Sequence, residues 1–312
     1  MPSPALGVDA ADLAAWCVEH LGSGPAAELF RSGHLSVVRG LRLADGREVV
    51  VKVRPASPRT ASCVDVQRRL HASGYPCPAP LAGPAPLGDG EATVESYRPG
   101  GDGVPGGEDA SALSARAFAR LVRLAPRPDE VGPLATAPSW AAWDHAGAGL
   151  WPRPEGVEVD LDAVEGPEWL DRAAGLARDR LRVGGGETVV GHCDWLADNV
   201  RWRGEELLVV HDWDSAVADS EAVLVGFAAA LHSAADPDRL ASVEETERFL
   251  NAYRGRGGRE LTADERQRAW AAGLWTRAYD AKYQHVTGHP VSSLSEADAA
   301  ARLHQAGLGQ PS

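Results

Sequence analysis

The spacing of apolar positions divides the chain into two unlike parts. Residues 9–21 (DAADLAAWCVEHL) carry the periodicity of an amphipathic helix, and Gly22 and Gly24 stop it. Over 28–53 the pattern changes. ELFRSGHLSVVRGLRL and REVVVKV are rich in strand-forming residues, and the Asp45-Gly46 pair between them is a hairpin turn signal. Lys52 therefore sits on an apolar strand that folds back towards the loop 32–36. Residues 60–73 read as a helix ended by Gly74, and Pro76, Pro78 and Pro80 exclude helix beyond it. Residues 91–97 read as a further strand. The stretch 98–109 (RPGGDGVPGGED) is rich in Pro and Gly and suits a boundary. After it, segments near 108–124, 166–182, 219–235, 242–254 and 262–285 read as helices. The expectation is an α+β fold of two lobes, 1–97 and 98–312, with a cleft between them.

Chemistry concentrates at 188–216 (TVVGHCDWLADNVRWRGEELLVVHDWDSA). Two short apolar runs, 200–202 and 207–210, flank the turn Arg203-Gly204-Glu205-Glu206 and predict a β-hairpin. Asn199 enters that hairpin, Asp212 leaves it, and Asp194 lies on the loop before it. A hairpin brings its outer ends together, so three oxygen-bearing side chains are expected to converge. Carboxylate and amide oxygens suit Mg²⁺, the ion that neutralises a polyphosphate.

Bulk properties narrow the function. The 312 residues carry a net charge of -13, which argues against a nucleic-acid partner and suits a cationic small molecule or simple solubility. No apolar run is long enough for a membrane span, and the N-terminus lacks a basic segment followed by an apolar core. A cytoplasmic location follows. Cys17, Cys63, Cys77 and Cys193 form no CxxC pair, so free thiols are expected.

His192-Cys193-Asp194 through Asn199, followed by Asp212-Trp213-Asp214 beyond a hairpin, resembles the aminoglycoside phosphotransferase family of small-molecule kinases, relatives of the protein kinases. The resemblance implies a protein-kinase-like fold. It implies that Asp194 accepts or orients the proton of the acceptor hydroxyl, that Asn199 and Asp212 hold Mg²⁺, and that His192 braces the loop. Asp214 stands where a second acidic residue is common. In the first lobe it gives Lys52 the α- and β-phosphates of ATP or GTP. Ser32 and Ser36 match the nucleotide-binding loop, and VESYRPG resembles the hinge, with backbone groups of Ser96 and Arg98 at the adenine edge. One feature departs from the family: the helix after the lysine strand has no glutamate to pair with Lys52. Either Asp65 substitutes or Lys52 is positioned otherwise.

The function this implies is transfer of a nucleotide γ-phosphate to a hydroxyl of a small molecule, an aminoglycoside-like antibiotic or a metabolite alcohol, by a monomer or homodimer. A nucleotide-binding pseudokinase regulator is the alternative. A metal-dependent hydrolase using His192, Asp194, His211, Asp212 and Asp214 is disfavoured, because a two-residue strand period turns His211 away from Asp212. Asp219, Glu221 and Asp280 are candidate acceptor contacts, set against local positive charge at Arg254, Arg256 and Arg259. Trp140, Trp143 and Trp151 are core residues or part of a substrate wall. Gly101 to Gly106 formally fits G-x-G-x-x-G, but Pro105 suits a connector better. There is no Walker A sequence or G-x-S-x-G elbow, and Cys193 between His192 and Asp194 lacks the setting of a nucleophile.

Overall fold

A computed structural model describes residues 7–33, 35–106, 109–232, 239–288 and 294–309. His34 of the loop 32–36, and Gly107 and Glu108 of the Pro/Gly-rich stretch, lie outside the described residues. Helix α1 (Ala10–Leu21) is capped by the Asp9 carboxylate, which accepts from Ala11 N, and it ends on Gly22 in the left-handed region. Five antiparallel strands follow: β1 (Pro25–Ser32), β2 (Val37–Leu43), β3 (Glu48–Arg54), β4 (Pro80–Leu87) and β5 (Gly90–Ser96), in the order β1-β2-β3-β5-β4. Helix α2 (Thr60–Ala72) joins β3 to β4.

The pleat of β3 decides which side chains reach the cleft. Val49, Val51 and Val53 are fully buried against Leu13, Trp16 and Cys17 of α1, together with Ala92 and Val94 of β5. Val50, Lys52 and Arg54 project from the opposite face, as alternation requires. Lys52 pairs with Thr93 across the ladder, so Glu95, two residues along β5, shares its face. Strand β4 was not anticipated, because its prolines mask it. It lies at the sheet edge, where Pro80, Pro84 and Pro86 remove no interior ladder bond.

The remainder is mainly helical: α3 (Ala110–Leu124), α4 (Glu168–Arg182), α5 (Glu221–Leu231), α6 (Val243–Ala252), α7 (Ala263–Thr287) and α8 (Glu296–Gln305). The anticipated α+β class therefore holds. Helix α8 was not foreseen, although Ser295 caps it by accepting from Asp298 N at 3.1 Å. Two small ribbons carry the chemical segment. Strand β6 (Thr188–His192) pairs with β9 (Ala216–Ser220), and between them β7 (Val200–Arg203) pairs with β8 (Glu206–Val210). The expected hairpin is thus present. The β6–β9 pair was missed, and because β9 runs to Ser220 the following helix starts at Glu221, not 219. All four cysteines are free and buried. Among the described residues no helix is long and apolar enough to cross a membrane.

Helices α5 and α7 form the centre of this second core and approach closely at glycines. A Cβ on Gly226 would collide with the backbone of Ala269, and one on Gly273 would stand 2.9 Å from Gly226 O. Backbone cannot move aside as a side-chain tip can. Gly226→Ala is therefore expected to cost about 2–3 kcal/mol, lowering Tm by roughly 5 °C in calorimetry. Gly175→Ala, on α4 with nothing within 4 Å of the new Cβ, should leave Tm unchanged or slightly higher.

Candidate active site

The β6–β9 ribbon holds the two ends of the chemical segment in place. His192, the last residue of β6, is fully buried. Its Nδ1 accepts from Asp194 N at 3.2 Å, which leaves Nε2 to donate to His211 O at 3.0 Å. Burial holds its pKa below the usual value, which fits this neutral tautomer. His192 thus ties the Asp194 loop to the end of β8. Trp195 anchors the same loop by donating to Ser114 Oγ of α3 at 2.9 Å, and Trp213 donates to Val210 O at 2.9 Å.

The Asn199 amide donates to Asp194 Oδ2 at 2.8 Å and to Asp194 O at 3.0 Å. That uses its nitrogen and leaves its carbonyl oxygen without a hydrogen bond among the described residues. Asp212 is the one non-glycine residue with positive φ among those described (φ 58, ψ 55). Such a conformation is uncommon outside glycine, and Asp is one of the types that tolerate it. It breaks the strand alternation after β8, so His211 and Asp212 both face the cleft. His211 is therefore not turned away from Asp212, contrary to expectation, because neither residue continues the strand.

One large cavity lies between the sheet and the helical part. Its wall includes Asp194, Asn199 and Asp212 from below and Lys52, Arg54 and Glu95 from the sheet. Lys52 Nζ donates to Asp212 Oδ1 at 3.1 Å and lies 4.0 Å from Glu95 Oε1. Arg54 pairs with Asp214 alongside. Burial disfavours the Lys52 charge, but Glu95 and Asp212 outweigh it and hold the pKa above the ordinary lysine value. Asp212 is likewise opposed by burial, yet the Lys52 charge and hydrogen bond keep it below the usual carboxylate range. Asp194 goes the other way. Burial and the neighbouring Asp212 charge push it up to about 7, against the Asn199 hydrogen bond.

Ser32 and Ser36 line the cavity with Gly33 between them. A Cβ on Gly33 (φ +121) would strike Ser36 O, so only glycine fits that bend. At the other end of the sheet Arg98 lines the cavity, with Tyr97, but Ser96 does not. Ser96 is used to start β4: its N–H donates to Ala79 O and its hydroxyl accepts from Ala79 N, each at 2.9 Å. Asp65 is on the wrong face of α2, paired with Arg69 at 2.9 Å and Arg68 at 3.5 Å.

The acceptor candidates divide. Asp280 lines the cavity, buried, and Trp140 and Trp151 line it too. Asp219 accepts from Trp143 Nε1 at 2.8 Å, and Glu221, 2% exposed, accepts from Tyr253 OH at 2.8 Å; both are structural and outside the cavity. Arg254, Arg256 and Arg259 are also outside it, engaged with Glu260, Val122 O and Glu265. Cavity residues that sequence reasoning passed over include Glu95, Arg54, Arg59, Glu155 and Asp198. The alternation of β5 was the available signal for Glu95. Cys193 is fully buried, and burial holds its thiol well above the usual range.

A strand lysine set over a loop aspartate, an asparagine five positions on and an aspartate beyond a hairpin defines a protein-kinase-like phosphotransferase. The model of the phosphotransferase enzyme family (APH) matches residues 27–222, from β1 to the first turn of α5, and the chain belongs to that family. The fold is similar to that of a putative aminoglycoside phosphotransferase from Ralstonia eutropha (TM-score 0.58, 16% identity, 97% of each chain covered). It is also similar to amicoumacin kinase hAmiN in complex with AMP-PNP, Ca²⁺ and Ami (TM-score 0.58, 14% identity, 90% of this chain and 86% of that one). A choline/ethanolamine kinase family protein from Mesorhizobium loti is a third (TM-score 0.52, 17% identity, 96% and 92% covered). Comparison with curated proteins finds no match.

Asp280, like Asp194, is held up to about 7, by burial and then by the Asp194 charge. The sign follows from linkage: a carboxyl that binds its proton more tightly folded than unfolded stabilises the fold at low pH, and that stability is lost as pH rises from about 4 through about 7. Asp280→Asn is therefore expected to raise Tm at pH 8 by about 2 °C or more and to change it much less at pH 5, as read by scanning calorimetry at both values. An equal shift at the two pH values would contradict the assignment.

Proposed function

We propose that the protein transfers the γ-phosphate of ATP or GTP, with Mg²⁺, to a hydroxyl of a small molecule, an aminoglycoside-like antibiotic or a metabolite alcohol. It would act in the cytoplasm, as monomer or homodimer. One observation carries the reading. The Asn199 amide is spent on Asp194, and these two share a cavity with Asp212 and with Lys52 from the sheet. A turn without chemistry gives no reason for that set.

The residues fit the groups they would hold. Asn199 Oδ1 and the Asp212 carboxylate are a sparse, all-oxygen donor pair, which suits an ion that keeps several waters and takes phosphate oxygens. Bound there, Mg²⁺ supplies charge neutralisation for the phosphates. Lys52 would hold α- and β-phosphate oxygens, and the loop with Ser32, Gly33 and Ser36 would cover them. Arg98 and Tyr97 lie where the nucleobase edge would meet the chain. Asp194, fixed by Asn199 and by its own N–H on His192, would orient the acceptor hydroxyl and take its proton. Phosphoryl transfer needs positioning and charge stabilisation more than covalent help, and these are what the residues provide. Asp198, Asp280 and Glu155 share the cavity wall with Arg59 and Arg153, so an acceptor would meet groups of both signs.

ADP release in the presence of Mg²⁺, measured across antibiotic and metabolite alcohols, tests this. Asp194→Ala is expected to lower kcat by about 10²-fold or more while nucleotide still binds. Chelation of the metal should abolish turnover. Asp194→Ala turning over at the wild-type rate would remove the assignment.

A further inference from the structure

The helix that follows the lysine strand has no glutamate, and its one carboxylate, Asp65, pairs with Arg68 and Arg69 on the surface. Lys52 therefore needs another partner, and the sheet provides one. We propose that Glu95 of β5, oriented by Gln67 of α2, is the residue that positions Lys52 for the nucleotide phosphates. The inference rests on the kinase reading of this site.

Glu95 is 8% exposed and Gln67 4%. Gln67 Nε2 donates to Glu95 Oε2 at 2.7 Å and to Pro78 O at 3.0 Å. Both amide protons are thus placed on acceptors, so the amide has one sensible orientation and fixes one oxygen of Glu95. The other oxygen, Oε1, is turned towards Lys52 Nζ at 4.0 Å. The β3–β5 register puts the two side chains on the same face. Asp212, at 3.1 Å, is the nearer carboxylate. Asp212, however, is also the group with oxygen to give to a divalent ion. Once its charge is turned to that use, Glu95 is the carboxylate that keeps Lys52 extended across the cleft. The usual division of labour is exchanged: the strand gives the charge, and the helix gives the amide that aims it. Gln67 thereby links the placement of α2 to the placement of Lys52.

Binding of Mg²⁺-ATP and of adenosine to the full chain, by titration calorimetry, tests the assignment without knowledge of the acceptor. Glu95→Gln keeps the shape and the Gln67 contact but removes the charge. It is expected to weaken ATP binding by about tenfold or more, with adenosine affected less than about twofold and Tm nearly unchanged. A purely structural role would move ATP, adenosine and Tm together. Gln67→Met, which keeps the bulk but removes the donor that aims Glu95, should weaken ATP binding by about threefold or more with adenosine affected less. Unchanged ATP binding in Glu95→Gln, or equal loss for ATP and adenosine, overturns the proposal. Wild-type protein that binds no ATP overturns the kinase reading and this proposal with it.

Discussion

The ion pair between Lys52 and Asp212 joins residues 160 positions apart and is the contact around which the site is arranged. One partner comes from the middle of a five-stranded sheet and the other from the end of a two-stranded ribbon. A buried ammonium such as that of Lys52 is costly unless it is paired, and Asp212, half-open to the cleft, pairs it. Each therefore holds the other's charge in place, and moving the sheet away from the helical part would leave the Lys52 ammonium without its nearest partner. Arg54, two positions further along β3, and Asp214, in the short turn after Asp212, repeat the arrangement. The phosphates that the site is proposed to bind would enter between partners already set opposite each other.

The same pair sets the proton chemistry next to it. Asp212 stays charged because Lys52 lies against it, and its charge is then one of the reasons Asp194 is held up to about 7. Two carboxylates in one cavity are thus pushed in opposite directions, one towards a permanent anion and one towards a group that exchanges its proton near neutrality. Such a split matches the division of roles proposed for these two residues. The anion suits a metal ligand, and the exchangeable carboxyl suits the one that meets a hydroxyl proton. Asp280 belongs to the second group, through burial first and then the Asp194 charge.

How much of this was legible depended on the range of the interaction. The β7–β8 hairpin, with Asn199 and Asp212 at its two ends, follows from local alternation and a turn. Lys52 stood out because charge is rare on an apolar strand. The β6–β9 pair was not legible, since its two five-residue strands are separated by a whole hairpin and nothing local marks them as partners. Strand β4 was hidden by its prolines, which only an edge position explains. Ser96 was assigned to the nucleobase edge from the hinge pattern, while the structure turns its hydroxyl and N–H to Ala79. Asp219 and Glu221 looked like surface acids, but long-range partners, Trp143 and Tyr253, claim them. In each case the missing information was which distant segment occupies the neighbouring space.

Helix α2 is where this long-range information matters most. Its buried residues Cys63, Val66 and Leu70 pack into the larger, helical core and not under the sheet. Arg59, just before its first turn, donates to Ala216 O at the start of β9. Yet its Gln67 amide reaches up to Pro78 and to Glu95 of β5. The helix is therefore packed with one part of the molecule and hydrogen-bonded to the other. An amide can make that second connection without adding charge beside the Lys52 ammonium and its two carboxylates. A glutamate at position 67 facing Glu95 would set two anions against each other in a buried space, so with Glu95 on the strand the absence of a helix glutamate is what the electrostatics of the cleft require.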